Sequence, residues 1–140
     1  LVAAKGLPDE PEAHAKEVIG VDNIGSAIKD ARNNAQHNGL ENTRFVTDDA
    51  GKFMTKQAQA GERLDVLLMD PPRAGASEDF LKAACIMKPQ RIVYISCNPK
   101  TQQRDVAYLL RHNYKLKRVQ PVDMFPHTEH TENICLLLRK

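Results

Sequence analysis

Residues 91–99, Arg-Ile-Val-Tyr-Ile-Ser-Cys-Asn-Pro, decide the fold of this chain. The apolar, largely β-branched run from Ile92 to Ile95 indicates a buried strand. Pro99 lacks a backbone N–H and keeps the residue before it out of helical conformation, so the strand ends here and the chain turns. Because ligands bind beyond the carboxyl ends of strands in open α/β sheets, Cys97 is predicted to lie at a functional edge. A buried structural cysteine is the alternative.

On both sides of this stretch, short apolar strands alternate with helical segments. Strands are predicted at residues 18–21, 43–47, 64–69, 92–95, 116–122 and 133–138, and helices at 25–38, 50–60, 77–87 and 100–112. This alternation is typical of βαβ units and therefore of an α/β fold with a mostly parallel sheet. The last two strands are joined by a loop without a helix, so they are predicted to pair antiparallel.

Two of the helices carry predictions about their ends and faces. Ser26 is predicted to cap the helix at 25–38, and Gly39 is predicted to end it. In the helix at 100–112, three apolar residues are predicted to face inward because they recur at helical spacing. They are Val106, Leu109 and Leu110.

Composition narrows the classes of protein to which the chain can belong. Its 140 residues suffice for one domain, and 20 Lys and Arg against 18 Asp and Glu neither demand nor exclude a nucleic-acid partner. The three cysteines lie far apart without C-x-x-C spacing, which indicates a reducing compartment and argues against an iron–sulfur or zinc site. With no apolar run of about 20 residues and no signal-peptide pattern, we expect a cytoplasmic protein without a membrane partner.

Polar side chains fall at the carboxyl ends of four predicted strands: Asp22, Asp49, Asp70 and Cys97. Those ends face one edge of a parallel sheet, so the four groups are predicted to share one cleft. Asp22 is placed to hold ribose hydroxyls and Asp49 to accept from an adenine amino group, which together indicate an adenosine-containing cofactor. On its own, an aspartate at the end of a strand is more often a helix cap or turn former.

Five motifs are shared with a known family. They are Gly-Val-Asp at 20–22, Asn-Ala-x-x-Asn-Gly at 34–39, Asp-Pro-Pro-Arg-Ala-Gly at 70–75, Ser-Cys-Asn-Pro at 96–99 and Asp-Met-Phe-Pro-His-Thr-Glu-His-Thr-Glu at 123–132. On these motifs the chain resembles the RNA uracil-5-methyltransferases that use S-adenosylmethionine, most closely the bacterial 23S ribosomal RNA type and next the transfer-RNA type. The resemblance implies a Rossmann-like class I methyltransferase sheet, mostly parallel with an antiparallel C-terminal strand, and an RNA partner.

The resemblance also implies the catalytic residues. Carbon 5 of uracil is a poor nucleophile, and addition of a thiolate at carbon 6 converts the ring into an enolate whose carbon 5 can take a methyl group. The family's nucleophile corresponds to Cys97. The general base that removes the carbon-5 proton corresponds to Glu132 rather than Glu129, because the family's glutamate ends the Phe-Pro-x-Thr-x-His-x-Glu pattern.

The remaining site residues are carried over in the same way. Three aspartates correspond to positions that bind S-adenosylmethionine or line the reaction centre: Asp22, Asp49 and Asp70. Three residues beside the loops are expected to contact the RNA: Arg73, Asn98 and Pro99. No metal is expected, because family enzymes need none for methyl transfer and His127 and His130 have no third ligand nearby.

A basic cluster lies near the turn at the end of the helix at 100–112. It is either a solvated face or a patch that contacts the RNA backbone. Its members are Arg111, His112, Lys115, Lys117 and Arg118.

The chain also departs from the family's pattern. The family's cofactor domain opens with a strand and a Gly-rich loop, which residues 1–13 do not match. We therefore expect residues 1–140 to form a single partial methyltransferase domain that lacks the usual first strand and Gly-rich loop. Such a domain is expected to bind the cofactor weakly and to self-associate through unpaired strand edges.

Other functions stay open on the sequence alone. An incomplete, non-catalytic Rossmann-like fragment that binds RNA or a partner would also lack the Gly-rich loop. An amino-methyltransferase of the Asp-Pro-Pro type shares residues 70–72, although such enzymes usually have an aromatic residue where Arg73 stands. A cytosine-5-methyltransferase would use a cysteine as well, but one class places it after the proline of the loop where Pro72 stands.

Overall fold

The computed structural model describes residues 15–124 and 131–140. The elements are β1 (Val18–Asp22), α1 (Gly25–His37), β2 (Thr43–Thr47), α2 (Ala50–Gln59), β3 (Val66–Met69), α3 (Glu78–Met87), β4 (Arg91–Ser96), α4 (Pro99–Arg111), β5 (Tyr114–Val122) and β6 (Glu132–Arg139). The predicted alternation of strands and helices is confirmed. No helix in these two ranges is long and apolar enough to cross a membrane.

Contacts divide the chain into two compact units, Leu1–Phe53 and Met54–Lys140. The prediction of a single partial domain over residues 1–140 stays a prediction. In the first unit, β1 and β2 form a parallel pair in which Gly20 lies opposite Phe45. A Cβ on Gly20 would lie 2.7 Å from Cδ1 of the Phe45 ring, so a side chain at this position would displace that ring.

Helix α1 of the first unit begins differently from the sequence prediction. Its N-cap is Ile24, and no described side chain caps it, so the prediction of a Ser26 cap is wrong. The carboxylate of Asp22 instead accepts a hydrogen bond from the Ile24 N–H at 2.7 Å. Gly39 does end the helix, and its φ of 65° is the left-handed conformation that glycine adopts without strain.

The second unit contains a four-stranded sheet in the order β3-β4-β6-β5. Strands β3 and β4 pair parallel, whereas β6 is antiparallel to both of its neighbours, β4 and β5. The first four strands of the chain therefore pair in parallel, and antiparallel pairing is confined to the partners of β6. This confirms the mostly parallel α/β fold with an antiparallel C-terminal strand.

The core of the second unit lies between the sheet and its helices. Buried members include Met69, Leu81, Met87, Ile92, Tyr94, Val106, Leu109, Tyr114 and Leu137. The prediction that Leu110 faces inward is wrong, because its side chain is 38% exposed. The inward positions of α4 are instead taken by Gln102, Asp105, Val106 and Leu109. Two polar residues thus share the buried face of this helix.

Strand β3 leaves apolar side chains exposed. Val66 is 49% exposed and Leu68 is 61% exposed, while the alternate residues of the strand, Leu67 and Met69, are buried. Among the described residues β3 pairs only with β4, so its other edge has no strand partner there. Exposed apolar residues on an edge strand favour association with other chains, and the expected self-association stays a prediction.

Candidate active site

The turn that carries Cys97 is tightly fixed. Strand β4 ends at Ser96, and α4 begins at Pro99 with Asn98 as its N-cap. The buried Ser96 hydroxyl accepts from the Asn98 N–H at 3.0 Å and donates to the Asn98 carbonyl oxygen at 3.2 Å. Cys97 is half-buried at the carboxyl end of β4, as the sequence predicts. The local hydrogen bonds hold this thiol at a defined place at the end of the sheet.

Cys97 and Glu132 occupy corresponding places on neighbouring strands. The antiparallel pairing of β4 and β6 ends with Ser96 opposite Asn133. Cys97 directly follows Ser96, and Glu132 directly precedes Asn133. Cys97 and the half-buried Glu132, which are far apart in sequence, therefore each lie one residue beyond the same strand pair, Ser96 and Asn133.

The other two thiols are in less reactive environments. Burial raises the pKa of Cys85 to about 11. Burial also raises the pKa of Cys135, partly offset by a hydrogen bond from Asn133. The thiolate is the nucleophilic form of cysteine, so a raised pKa makes a thiol less reactive at neutral pH. Of the three cysteines, only Cys97 stands at the end of a strand rather than inside a helix or strand.

The loop after β3 is hydrogen-bonded to the start of α4. The Arg73 carbonyl oxygen accepts from the Asn98 side-chain amide and from the Thr101 hydroxyl, each at 3.0 Å. Within the loop, the Gly75 N–H donates to the Pro72 carbonyl at 2.8 Å. The loop that begins with Asp70 and the turn that holds Cys97 therefore form one connected edge of the second unit.

Three of the predicted site residues lie on this edge with different surroundings. Asp70 is exposed and has no hydrogen-bond partner among residues 15–124 and 131–140. Both polar atoms of the Asn98 amide already have partners, since Oδ1 accepts from the Lys100 N–H at 3.2 Å. Pro99 is exposed at the first position of α4. Contacts of Arg73, Asn98 and Pro99 with RNA remain predictions.

The other two predicted cofactor residues belong to the first unit. Asp22 is exposed at the end of β1, and Asp49 is exposed directly before α2. Asp49 Oδ1 accepts from the Lys52 N–H at 2.9 Å, which is the geometry of a helix N-cap. Each carboxylate keeps its second oxygen without a partner among the described residues. Both therefore have an acceptor available for a nucleoside hydroxyl or amino group, which fits S-adenosylmethionine.

Some of the predicted groups lie outside the described residues. These are Glu129, His127 and His130. In the described parts of the chain, no group of three or more His, Cys, Asp or Glu side chains is placed to hold a metal ion. All five members of the basic cluster are exposed, namely Arg111, His112, Lys115, Lys117 and Arg118.

Sequence reasoning missed two buried polar residues next to this edge, Gln102 and Asp105, each 1% exposed. The spacing of these two residues along the helix could have indicated that they face inward. Residues 102, 105, 106 and 109 recur at the three- and four-residue intervals of one helix face, so the inward face could be recognised once Val106 and Leu109 were placed on it. A polar residue on such a face has to find partners in the core.

Comparison with known proteins gives a consistent result. Residues 14–140 match the family described as tRNA (uracil-5-)-methyltransferase. An "uncharacterized RNA methyltransferase" of Lactiplantibacillus plantarum is 48% identical over 128 residues, which cover 91% of this chain and 28% of the relative. The chain thus spans little more than a quarter of the length of the curated relatives it matches.

Solved structures agree with this match. The Pyrococcus abyssi tRNA (uracil-54, C5)-methyltransferase in complex with S-adenosyl-L-homocysteine is similar with a TM-score of 0.76 and 34% identity, over 87% of this chain and 29% of that one. An rRNA methylase from Streptococcus thermophilus has a TM-score of 0.68 at 10% identity, over 90% of this chain and 75% of that one. At that identity the second likeness shows the fold alone.

Proposed function

The chain belongs to the tRNA (uracil-5-)-methyltransferase family, and we propose from this that it carries the catalytic centre of an RNA methyltransferase that modifies uridine. The proposed reaction is transfer of a methyl group from S-adenosylmethionine to carbon 5 of a uridine in RNA through a covalent Cys97–uracil adduct. Because the chain spans 28% of its relative, the activity of the whole protein is part of the proposal.

The proposed reaction assigns one bond-making step and one proton transfer to the two residues at the ends of β4 and β6. The Cys97 thiolate adds to carbon 6 of uracil, which makes carbon 5 nucleophilic. When bound, S-adenosylmethionine supplies the methyl group for carbon 5. Glu132 then takes the proton from carbon 5, and the electron pair of that C–H bond restores the ring double bond as the Cys97 sulfur leaves.

The pairing of Ser96 with Asn133, the neighbours of Cys97 and Glu132, is the observation that carries this proposal. A nucleophile and a base that act on neighbouring carbons of one ring must stand on the same side of the site, a few ångströms apart. The positions of Cys97 and Glu132, each one residue beyond that pair, support this assignment. The raised pKa values of Cys85 and Cys135 also favour Cys97 as the nucleophile.

The proposed cofactor and RNA contacts follow the chemistry of the side chains. Asp22 and Asp49 are assigned to the nucleoside part of S-adenosylmethionine, and Asp70 to the reaction centre. Arg73, Asn98 and Pro99 are assigned to the RNA side of the edge, where the Arg73 guanidinium suits a phosphate.

The proposed substrate is ribosomal RNA, which the resemblance of the motifs favours over transfer RNA. The P. abyssi structure is named as a tRNA enzyme, so both RNAs belong in the test. A cytoplasmic location is part of the same proposal and is compatible with either RNA. Five exposed basic side chains at the end of α4 and in β5 are proposed to contact the RNA backbone, namely Arg111, His112, Lys115, Lys117 and Arg118.

The test is a methylation assay on the complete gene product that contains this chain. Unmodified 23S ribosomal RNA and transfer RNA transcripts are each incubated with S-adenosylmethionine labelled in its methyl group and digested to nucleosides. We expect label in 5-methyluridine from the ribosomal RNA, abolished by Cys97→Ala and retained by Cys85→Ala. Label only from transfer RNA would correct the substrate.

Two other outcomes would overturn the proposed function. Label on an exocyclic amine of adenine or guanine would identify an amino-methyltransferase of the Asp-Pro-Pro type. Binding of RNA by the folded protein without transfer of label to either RNA would identify a non-catalytic RNA-binding protein.

A further inference from the structure

A buried carboxylate sits between the loop after β3 and the helix that follows Cys97. Asp105 lies in the second turn of α4 and is 1% exposed. Its Oδ2 accepts from the Ala76 N–H and from the Tyr94 hydroxyl, each at 2.7 Å. Its Oδ1 accepts from Nε of Arg104 at 2.8 Å and lies in ion-pair contact with Nη2 of the same guanidinium, also at 2.8 Å. The carboxylate thus contacts four donor atoms, from a loop, a strand and its own helix.

Arg104 extends this connection along the loop. Its Nη2 donates to the Ala74 carbonyl at 3.0 Å and, more weakly, to the Ala76 carbonyl at 3.4 Å. The loop therefore receives hydrogen bonds from α4 at residues 73, 74 and 76. Further along the helix surface, Asn98 and Thr101 hold the Arg73 carbonyl.

The loop lies directly against these two side chains at Gly75. This residue has a φ of 84°, a conformation that residues with a Cβ rarely adopt. A Cβ here would lie 2.5 Å from Arg104 Nη2 and 2.7 Å from Asp105 Oδ2. Any side chain at this position would therefore push the loop away from the helix.

Only the carboxylate of this ion pair is buried, since the Arg104 side chain is 59% exposed, and a buried carboxylate is seldom the most stabilising choice for a core. Removing a carboxylate from water costs several kcal/mol, and a well-packed apolar residue at the same place is often as stable or more so. A carboxylate that contacts four donor atoms is held in one orientation, because each donor fixes the direction of one contact. Tyr94 lies on β4, so the geometry that Asp105 fixes includes the strand that ends at Cys97.

We infer that Asp105, together with Arg104 and Tyr94, positions the Asp70–Gly75 loop relative to the nucleophile turn. This inference rests on the proposed function. Helix α4 begins two residues after Cys97, so the same rigid helix caps the nucleophile turn and holds the loop. The side-chain partners of Asp105 are Ala76, Tyr94 and Arg104, so it is assigned as a positioning residue that acts through the loop backbone.

The test compares Asp105→Asn with Gln103→Ala, an exposed neighbour on the same helix, in the complete gene product. Asparagine keeps the shape and accepts from Ala76 and Tyr94, but its N–H₂ group then faces the Arg104 donors. Active sites are counted by adduct formation with 5-fluorouracil-containing RNA. We expect kcat per active site to fall by about 10- to 100-fold, the usual effect of losing such an outer partner. KM should change little, and Gln103→Ala should behave as wild type.

A merely structural role for Asp105 would give a different pattern. The unfolding temperature and the fraction of active molecules would then fall, while kcat per active site stayed at the wild-type value, and that result would overturn the inference. Wild-type protein that forms neither adduct nor methylated RNA would instead overturn the proposed function.

Hydrogen exchange supplies a readout that needs no activity. We expect Asp105→Asn to accelerate amide exchange both in the loop at 73–76 and at the Cys97–Asn98 turn, whereas Gln103→Ala accelerates neither. Acceleration confined to the loop would show that the carboxylate does not couple the loop to the nucleophile turn, and would overturn the inference.

Discussion

Asn133 donates a side-chain hydrogen bond to Oε1 of Gln102 at 2.6 Å, one residue away from Glu132. Gln102 is buried, and its own amide nitrogen donates to the carbonyls of Tyr94 on β4 and Asn133 on β6, at 2.9 Å and 3.0 Å. One side chain of α4 thus connects the ends of the two strands that carry Cys97 and Glu132. This buried amide therefore joins β4 to β6 close to the positions of these two residues.

Replacing Gln102 by Leu should therefore destabilise the protein. Leucine fits a buried site, but it leaves the Asn133 amide and two strand carbonyls without this partner. Loss of one partner of a buried polar group costs about 1–3 kcal/mol, so we expect the free energy of unfolding to fall by that amount. Denaturant unfolding would measure it, with the exposed Gln103→Leu as the control. Equal stability of the two variants would contradict this role of Gln102.

Gly75→Ala should be harmful for two physical reasons. Its φ of 84° strains any residue with a Cβ, and the added methyl group would meet Arg104 and Asp105. Substitution of Ala at a positive φ typically destabilises by more than about 1 kcal/mol, so a clear fall in the unfolding midpoint is expected. The matched control is Gly25→Ala in the first turn of α1, where nothing lies within 4 Å of an added Cβ. Equal midpoints for the two variants would show that the loop moves away from the helix at little cost.

Much of the fold was predictable because the local signals agree with the tertiary structure. The order of strands and helices, the antiparallel C-terminal pair and the start of α3 at Ser77 all follow from apolar periodicity and capping residues. Ser77 Oγ accepts from the Phe80 N–H, as a cap should. In these segments the local preference and the packing favour the same structure.

The features that were missed depend on tertiary partners. The Ser26 cap failed because the helix begins at Gly25 with Ile24 as its N-cap, so Ser26 lies inside the first turn instead of before it. Leu110 was placed inward because it is apolar and follows Leu109, whereas the buried face of the helix includes the polar Asp105. Only the three-dimensional structure shows the donors around the Asp105 carboxylate, which offset the cost of burying its charge.

Thiol reactivity should rank the three cysteines. We expect an alkylating reagent at neutral pH to label Cys97 first in the folded protein, because burial raises the pKa of both Cys85 and Cys135. Mass mapping of peptides at successive times would give the three rates, with unfolded protein as the control in which all three react alike. Faster labelling of Cys85 or Cys135 than of Cys97 in the folded state would show that Cys97 is not the reactive thiol.

Stability should fall in alkaline solution. Burial raises the pKa of Cys85 from 9.0 to about 11 and that of Tyr114 from 10.0 to about 12. Between the two values of each group, the unfolded chain has released a proton that the folded chain retains, so rising pH favours unfolding. The stability that depends on these two protonated side chains is fully present below pH 9 and is lost as the pH rises toward 11 to 12.

Denaturant midpoints measured at increasing pH would test this decrease. Cys85→Ala removes the first titration, so its midpoint should decline less steeply between pH 9 and 11 than that of the wild type. Parallel declines of the wild type and the variant would show that Cys85 ionises alike in the folded and unfolded states.

The central claim is that Cys97 and Glu132 divide the reaction between them, and adduct trapping tests it most directly. In the complete gene product, Glu132→Gln should allow thiol addition and methylation but block removal of the carbon-5 proton. General-base steps are worth about 10²- to 10⁴-fold in rate, so the Cys97–uracil adduct should accumulate. A denaturing gel would retain it, with wild-type enzyme on 5-fluorouracil-containing RNA as the positive control and Cys97→Ala as the negative control. Normal turnover by Glu132→Gln, with trapping by Glu129→Gln instead, would contradict the assignment of the base, and methylation by Cys97→Ala would contradict the covalent mechanism itself.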